Sequence, residues 1–287
     1  MKKLAFIHRS TDSHWVGDGF PVRGVFNYND IAQEMSPFLL MDYAAPYEFT
    51  PTTTQKRGVG EHPHRGFETV TIVYEGEVTH RDSSGGGGTI GPGDVQWMTA
   101  GSGLVHEEFH GKDYAKRGGP FEMVQLWVNL PRKDKMTAPG YQGITSAQIP
   151  AVELAEGAGT VRVIAGEFRE AKGPARTFSP MQVWDVRLRA GGVADLAVED
   201  GFTTSIFVLK GRIKLAAGEV VSTGELALLD RAGTDFRLEG VEDTKLLVLS
   251  GRPLNEPIVG RGPFVMSTEG EIRQAILDFQ NGRMGRL

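Results

Sequence analysis

Two histidines one residue apart, His62 and His64, lie in the run Glu61-His-Pro-His-Arg-Gly-Phe-Glu68, and a second group, His106-Glu-Glu-Phe-His110, follows further along. Imidazole nitrogens with a carboxylate oxygen suit a first-row divalent metal. In an extended strand alternate side chains share a face, so His62 and His64 project together, as do His106 and Glu108. Side by side, the two pairs make a cup of three imidazoles and one carboxylate. The same parity groups Glu68 with His62 and His64, groups His110 with His106, and turns Glu107 away. An ion with octahedral preference and four protein ligands keeps two positions open, enough for a substrate and O2 together. The donor set suits Fe(II), Mn, Co, Ni or Cu, whereas a closed tetrahedral Zn would serve structure.

The elements that must position these residues read as strands joined by glycine-rich turns. Thr69-Val-Thr-Ile-Val-Tyr74 is β-branched and aromatic, Glu75-Gly76 turns it, and Val78 to Arg81 continues. Asp94 to Met98 is entered through Gly91-Pro-Gly93, and Phe121 to Leu130 is a long strand. Pro131 to Gly140 has the composition of a linker. The run Gly85–Gly88 lacks the Lys-Ser/Thr pair of a phosphate loop and reads as a flexible hairpin loop. Near the C-terminus Thr268-x-x-Glu271 is a capping box, with Ile272, Ala275, Ile276 and Phe279 at helical spacing and Gly282 to end the helix.

The second half repeats the first weakly. Val73-Tyr-Glu-Gly76 compares with Val208-Leu-Lys-Gly211, and Ile90 to Met98 with Val221 to Leu229. In that register His62 and His64 correspond to Ala197 and Glu199, and His106 and Glu108 to Arg237 and Glu239. The expectation is two tandem β domains, residues 1–131 carrying the metal and residues 146–287 without one, joined by a linker at 132–145.

Composition bounds the rest. The chain has 287 residues, 38 Gly, 15 Pro, 40% apolar residues and a net charge of −5. This fits a turn-rich β protein with a large core. No cysteine is present, which excludes disulfides and Cys-ligated zinc and is compatible with the expected cytoplasmic setting. The apolar run Leu4–Ile7 is too short for a signal peptide, and no stretch approaches a membrane span. Lysines and arginines are scattered, which argues against direct nucleic-acid binding. All seven histidines lie between His8 and His110, so a histidine site belongs to the first half. Of these, His8 and His80 read as ordinary surface or turn residues, and Trp97, Trp127 and Trp184 as core.

The motifs also carry a family resemblance. His62-x-His64-x3-Glu68 and Gly101-x-Gly103-x2-His106 resemble the two metal motifs of the cupin superfamily. The segments His62 to Val70, Gly91 to Gly103 with Val105-His106, and the tail Gly262-Pro-Phe-Val-Met266 with Gln274 to Phe279 resemble the pirins more closely. The resemblance covers most of the chain. It implies an all-β bicupin, two tandem jelly-roll barrels with a short C-terminal helix. It also implies that His62, His64, His106 and Glu108 ligate one divalent metal, Fe(2+) first, with Ni, Co, Mn, Cu or Zn as other occupants. The chain departs from the wider cupin pattern at Gly101, where proline is expected, and at His110, where asparagine is expected. In many cupins the glutamate of the first motif is a ligand, which keeps Glu68 in contention.

For function, the resemblance implies a quercetin 2,3-dioxygenase-like oxidoreductase that cleaves a flavonol with O2. Glu108 or Glu68 would act as general base, and an apolar cup with residues such as Phe67, Trp97 or Met98 would hold a small aromatic substrate. The alternative is a non-enzymatic metal-binding or redox-sensing regulator acting through a protein partner. A third reading is a bicupin whose metal is structural.

Overall fold

The structure, a computed structural model, describes all 287 residues. They divide into two compact units. One comprises Met1–Ser10, Glu34–Pro37 and Ala147–Leu254; the other comprises Thr11–Gln33, Phe38–Ser146 and Asn255–Leu287 and carries the histidine motifs.

The histidine-bearing unit contains a seven-stranded sheet and a four-stranded sheet. The larger runs in the order Gly140–Ile144, Val95–Thr99, Phe67–Glu75, Gly119–Asn129, Phe38–Phe49, Phe20–Phe26, Ser13–Val16. The smaller runs Gly58–His64, Leu104–His110, Val78–Asp82, Gly87–Ile90. Every named pairing in both is antiparallel. Val73 and Phe121 from one sheet pack with Val78 and Ile90 from the other, so the sheets face each other over a shared core. Each such buried Val, Ile or Phe contributes roughly 1.5–3 kcal/mol relative to exposure.

The other unit repeats this plan strand for strand. Its large sheet runs Leu4–His8, Leu226–Leu229, Thr203–Lys210, Thr244–Gly251, Met181–Leu188, Gly159–Ala165, Ala151–Glu153, and its small sheet Val193–Ala197, Asp235–Gly240, Arg212–Leu215, Val220–Ser222. Trp184, Val208 and Val248 of the first meet Leu196, Ile213 and Leu238 of the second in one core. The weak internal repeat in the sequence is therefore a duplication of a whole double sheet.

Both chain ends depart from a simple division at 131 and 146. Leu4–His8 pairs along Leu226–Leu229, so the N-terminus lies in the unit built mainly from the second half. Residues 255–287, with the helix Glu269–Gln280, lie in the histidine-bearing unit. Within the expected linker, Gly140–Ile144 is a strand along Val95–Thr99. For the two strands the physical reason is shared: an open sheet edge leaves backbone N–H and C=O groups unpaired, and Leu4–His8 and Gly140–Ile144 satisfy them. The capping box forms as expected, Thr268 Oγ1 accepting from the Glu271 N–H at 3.2 Å. Ile272 and Ala275 are buried, whereas Phe279 is 40% exposed. No helix is long and apolar enough to cross a membrane.

Candidate metal centre

The strand Gly58–His64 lies antiparallel to Leu104–His110, with His106 opposite His62 and Leu104 opposite His64. His62 and His106 are therefore direct cross-strand partners, and the register shifts after them, so that Glu108 stands opposite Val59. The imidazole centroids of His62 and His106 are 4.2 Å apart, those of His64 and His106 4.8 Å, and those of His62 and His64 4.9 Å. The potential ligand atoms of these three residues all lie within 4.8 Å of one another. A second triad, His80, His106 and Glu108, meets the same limit and shares His106 with the first.

The ring nitrogens of the first triad are sorted into two kinds. Nδ1 of His62 is 2.8 Å from the Gly60 carbonyl, Nδ1 of His64 is 3.3 Å from the Pro263 carbonyl, and Nδ1 of His106 is 3.2 Å from Nδ1 of His80. Each Nδ1 is engaged, and Nε2 remains on all three. His106 Nε2 is buried without a hydrogen-bond partner, an atom that a metal ion would satisfy. Burial, reinforced by the neighbouring imidazoles, holds His64 and His106 well below the ordinary histidine pKa, so both keep the neutral form that ligates metals. Outer hydrogen bonds that fix the ring orientation of ligating histidines are the usual support of such sites.

Glu108 is buried and held at both oxygens. Gln96 Nε2 donates to Oε1 and Gln125 Nε2 to Oε2, each at 3.1 Å. The Tyr141 hydroxyl, from the edge strand Gly140–Ile144, donates to Gln96 Oε1 at 3.4 Å. A carboxylate gripped this way presents a fixed direction. The three imidazoles thus fit a divalent ion, and Glu108 brings a carboxylate oxygen within 4.8 Å of the ligand atom of His106.

A cavity of about 360 Å³ opens onto this centre, lined by the polar residues His62, His64, Glu108, Gln125 and Asp42 and by apolar residues that include Phe20, Val22, Val59, Met123 and Trp127. Its size lies near the lower end of the range of roughly 300–1,000 Å³ for small-molecule sites. A larger cavity of 440 Å³ in the other unit is lined by Leu4, Leu215, Phe236 and Arg237 among others, and no histidine contributes to it.

Several sequence expectations change here. Glu68 does not share the face of His62 and His64. The chain turns at Arg65-Gly66, where Gly66 has φ +90° and a Cβ would stand 2.0 Å from the Val265 carbonyl oxygen, so parity is not carried from one strand into the next. On the following strand Thr71 faces Glu108 and Gln125, and Glu68 points to the opposite face of the sheet, where its Oε1 accepts from Thr99 Oγ1 at 2.7 Å. Burial pushes its carboxyl up to about 7, against the opposing Thr99 hydrogen bond. His110 is buried, its ring stacked on Phe121 and its Nε2 2.9 Å from the Gly19 carbonyl. Trp97 is fully buried away from the cavity, whereas Trp127 lines it, stacked on Phe67 at 4.2 Å. In the other unit Arg237 pairs with Asp195, and Glu239 with Lys214.

Sequence reasoning missed three side chains. His80 is 2% exposed and lies between Asp82 and His106. Asp82 is buried, which alone would raise its pKa, yet hydrogen bonds from His80, Ser84 and Gly86 hold it down to about 2. Asp42 lines the cavity across from Gln125, and burial pushes its carboxyl up to about 6. The signal for His80 and Asp82 was present, an i, i+2 pair in a strand beside that of His106.

The profile of the pirin family matches residues 19–128, and that of the pirin C-terminal cupin domain matches residues 183–285. A Pseudomonas aeruginosa protein provisionally named quercetin 2,3-dioxygenase is 57% identical over 287 residues, 100% of this chain and 99% of its own. Mouse pirin is 37% identical over 259 residues, 88% of this chain and 84% of its own. The crystal structure of a quercetin 2,3-dioxygenase from Acinetobacter baumannii superimposes with a TM-score of 0.97 at 56% identity, covering 99% of both chains. With its duplicated double sheet and both halves matched, the chain belongs to the pirin family and is a bicupin.

Proposed function

We propose that this protein is a metal-dependent dioxygenase that opens a flavonol such as quercetin at the 2,3 position with O2, releasing CO. The observation that carries the reading is the orphaned His106 Nε2, clustered with His62 and His64, which line a largely apolar cavity. His62, His64, His106 and Glu108 would hold the ion, Fe(2+) in the first instance. When bound, the ion supplies Lewis acidity to a substrate hydroxyl and a meeting point for O2. The names of the Pseudomonas and Acinetobacter relatives support the same substrate class.

The protein's own groups supply the rest. Trp127 and Phe20 offer flat apolar surfaces to an aromatic ring system, and the apolar wall keeps water from the reacting atoms. Gln96 and Gln125 fix the direction of Glu108. Two carboxyl groups, Glu108 and Asp42, line the cavity and are the candidates to accept a proton from the substrate hydroxyl. Glu68, on the other face of its sheet, does not reach it.

The test is to load the protein with Fe(II), add quercetin under air and follow loss of flavonol absorbance, with metal-free protein and His106→Ala as controls. Turnover that needs the metal and disappears in the variant supports the proposal. A correctly loaded protein without turnover overturns it and favours a regulatory role through a protein partner.

A further inference from the structure

The structure assigns His80 and Asp82 as a positioning pair that sets the tautomer of His106 and so aims the bare Nε2 lone pair at the metal. The inference rests on the reading of His106 as a ligand. Neither residue enters the ligand set, and both lie on the strand beside it, His80 opposite Glu108 and Asp82 opposite His106.

The hydrogen bonds run inward from Asp82, the outermost group. Asp82 Oδ1 accepts three hydrogen bonds, from Ser84 N at 2.8 Å, Ser84 Oγ at 2.6 Å and Gly86 N at 3.1 Å. A carboxyl group so surrounded by donors is an acceptor at its other oxygen too. That oxygen, Oδ2, is 3.0 Å from His80 Nε2, which must therefore donate. Of two facing ring nitrogens one donates and the other accepts, and a proton placed on His106 Nε2 would be buried with no acceptor. His80 Nδ1 is then an acceptor, and the group 3.2 Å away, His106 Nδ1, must carry its proton. One position remains for the His106 lone pair, Nε2, the atom buried with no partner. With both nitrogens of His80 engaged, His80 supports the neighbouring ligand and is not itself one.

The surroundings preserve the chain of bonds. Both side chains of the His80–Asp82 pair are fully buried. Tyr141 stacks on His80 with centroids 5.2 Å apart and planes 15° apart, restraining the ring. The glycine run finds a role here: a Cβ at Gly86 would meet Asp82 Oδ2 at 2.4 Å and Tyr141 Cβ at 2.7 Å. Only glycine lets the loop backbone approach closely enough to donate to Asp82. A ligating histidine whose second nitrogen is hydrogen-bonded in this way is oriented and made more basic, and loss of such support weakens metal affinity by about 10–100-fold.

The tautomer is read directly by long-range proton–nitrogen correlation NMR on the full chain without metal. The expected result is a proton on Nδ1 and a bare Nε2 for His106, and the reverse for His80. A proton on Nε2 of His106 overturns the inference, whatever the fate of the dioxygenase reading. Fe(II) and Zn(II) titrations of the full chain then compare wild type with His106→Ala, His80→Phe and His80→Asn, folding being checked by circular dichroism. The asparagine oxygen can occupy the place of Nδ1 and accept the same bond. The expected order is a loss of 10–100-fold for His80→Phe with substantial recovery in His80→Asn. Equal affinity of wild type and His80→Phe, alongside lost binding in His106→Ala, overturns the positioning role while leaving the metal site intact. Unchanged binding in His106→Ala overturns the metal reading itself.

Discussion

The imidazole of His64 stands 3.3 Å from the carbonyl of Pro263, a residue 199 positions away in the sequence. The C-terminal segment is thus part of the centre's scaffold. The next residue in the chain, Arg65, is pinned by the same segment: its side chain reaches Asp278 on the C-terminal helix at 2.9 Å, and its backbone oxygen accepts from the Val265 N–H. Lys135 Nζ ties Gly66 O, Asn129 Oδ1 and Val265 O together within 2.9 Å.

Asp278→Ala should therefore act in two ways. It leaves the Arg65 guanidinium buried without its partner, a change that costs about 3 kcal/mol or more. It also frees the tail that orients His64. Urea denaturation should show the lower stability, and metal titration a weaker Kd. Unchanged values in both would mean that the tail is not a support.

Gln125→Leu removes the donor to Glu108 Oε2 without touching a proposed ligand. Metal affinity should fall by about 10–100-fold with the fold intact. Competition with a chromophoric chelator would measure it, and an unchanged affinity would separate Glu108 from the metal.

Removal of the metal should lower stability by mass action. At free ion a hundredfold above Kd, binding contributes about 2.7 kcal/mol. Chelation should therefore lower the Tm of the wild type, and His62→Ala should show no such difference between its chelated and metal-supplied forms.

Glu68 provides a pH signature of stability separate from the cavity. Its folded-state pKa is raised by burial from 4.5 to about 7. Between those values the folded protein binds more protons than the unfolded chain, so stability falls as pH rises from about 4.5 to about 7. The loss is on the order of 3 kcal/mol. Glu68→Gln should flatten this part of the profile in denaturation series across that range; the same slope in the variant would assign it to another group.

Asp42, raised to about 6, offers a different readout. If its carboxylate accepts the substrate proton, turnover should climb as pH passes through about 6, where the group becomes ionised. Asp42→Asn should abolish that rise and lower turnover by about 100-fold or more. A variant with the wild-type profile would leave Glu108 as the acceptor.

Much of the site was legible in the sequence because the relevant information is short in range. Strand periodicity alone places His62 beside His64 and His106 beside Glu108, and a glycine-punctuated repeat shows the duplication. The same rule misled at Glu68, since alternation holds only along one continuous strand and Gly66 bends the chain between the two. It also left His80 as an ordinary residue, although Asp82 follows it at the spacing that shares a face.

What the sequence by itself determined is the donor chemistry and the pairing of residues within each strand, both consequences of local backbone geometry. Tertiary structure decided the partners: that Pro263 reaches His64, that Tyr141 covers His80, that Trp127 and Asp42 line the cavity while Trp97 and Glu68 face away. Those contacts depend on which strand edges pair and on which segments cover them. Pairing of this kind is settled by burial and backbone hydrogen bonding over the whole sheet, and no local window contains it.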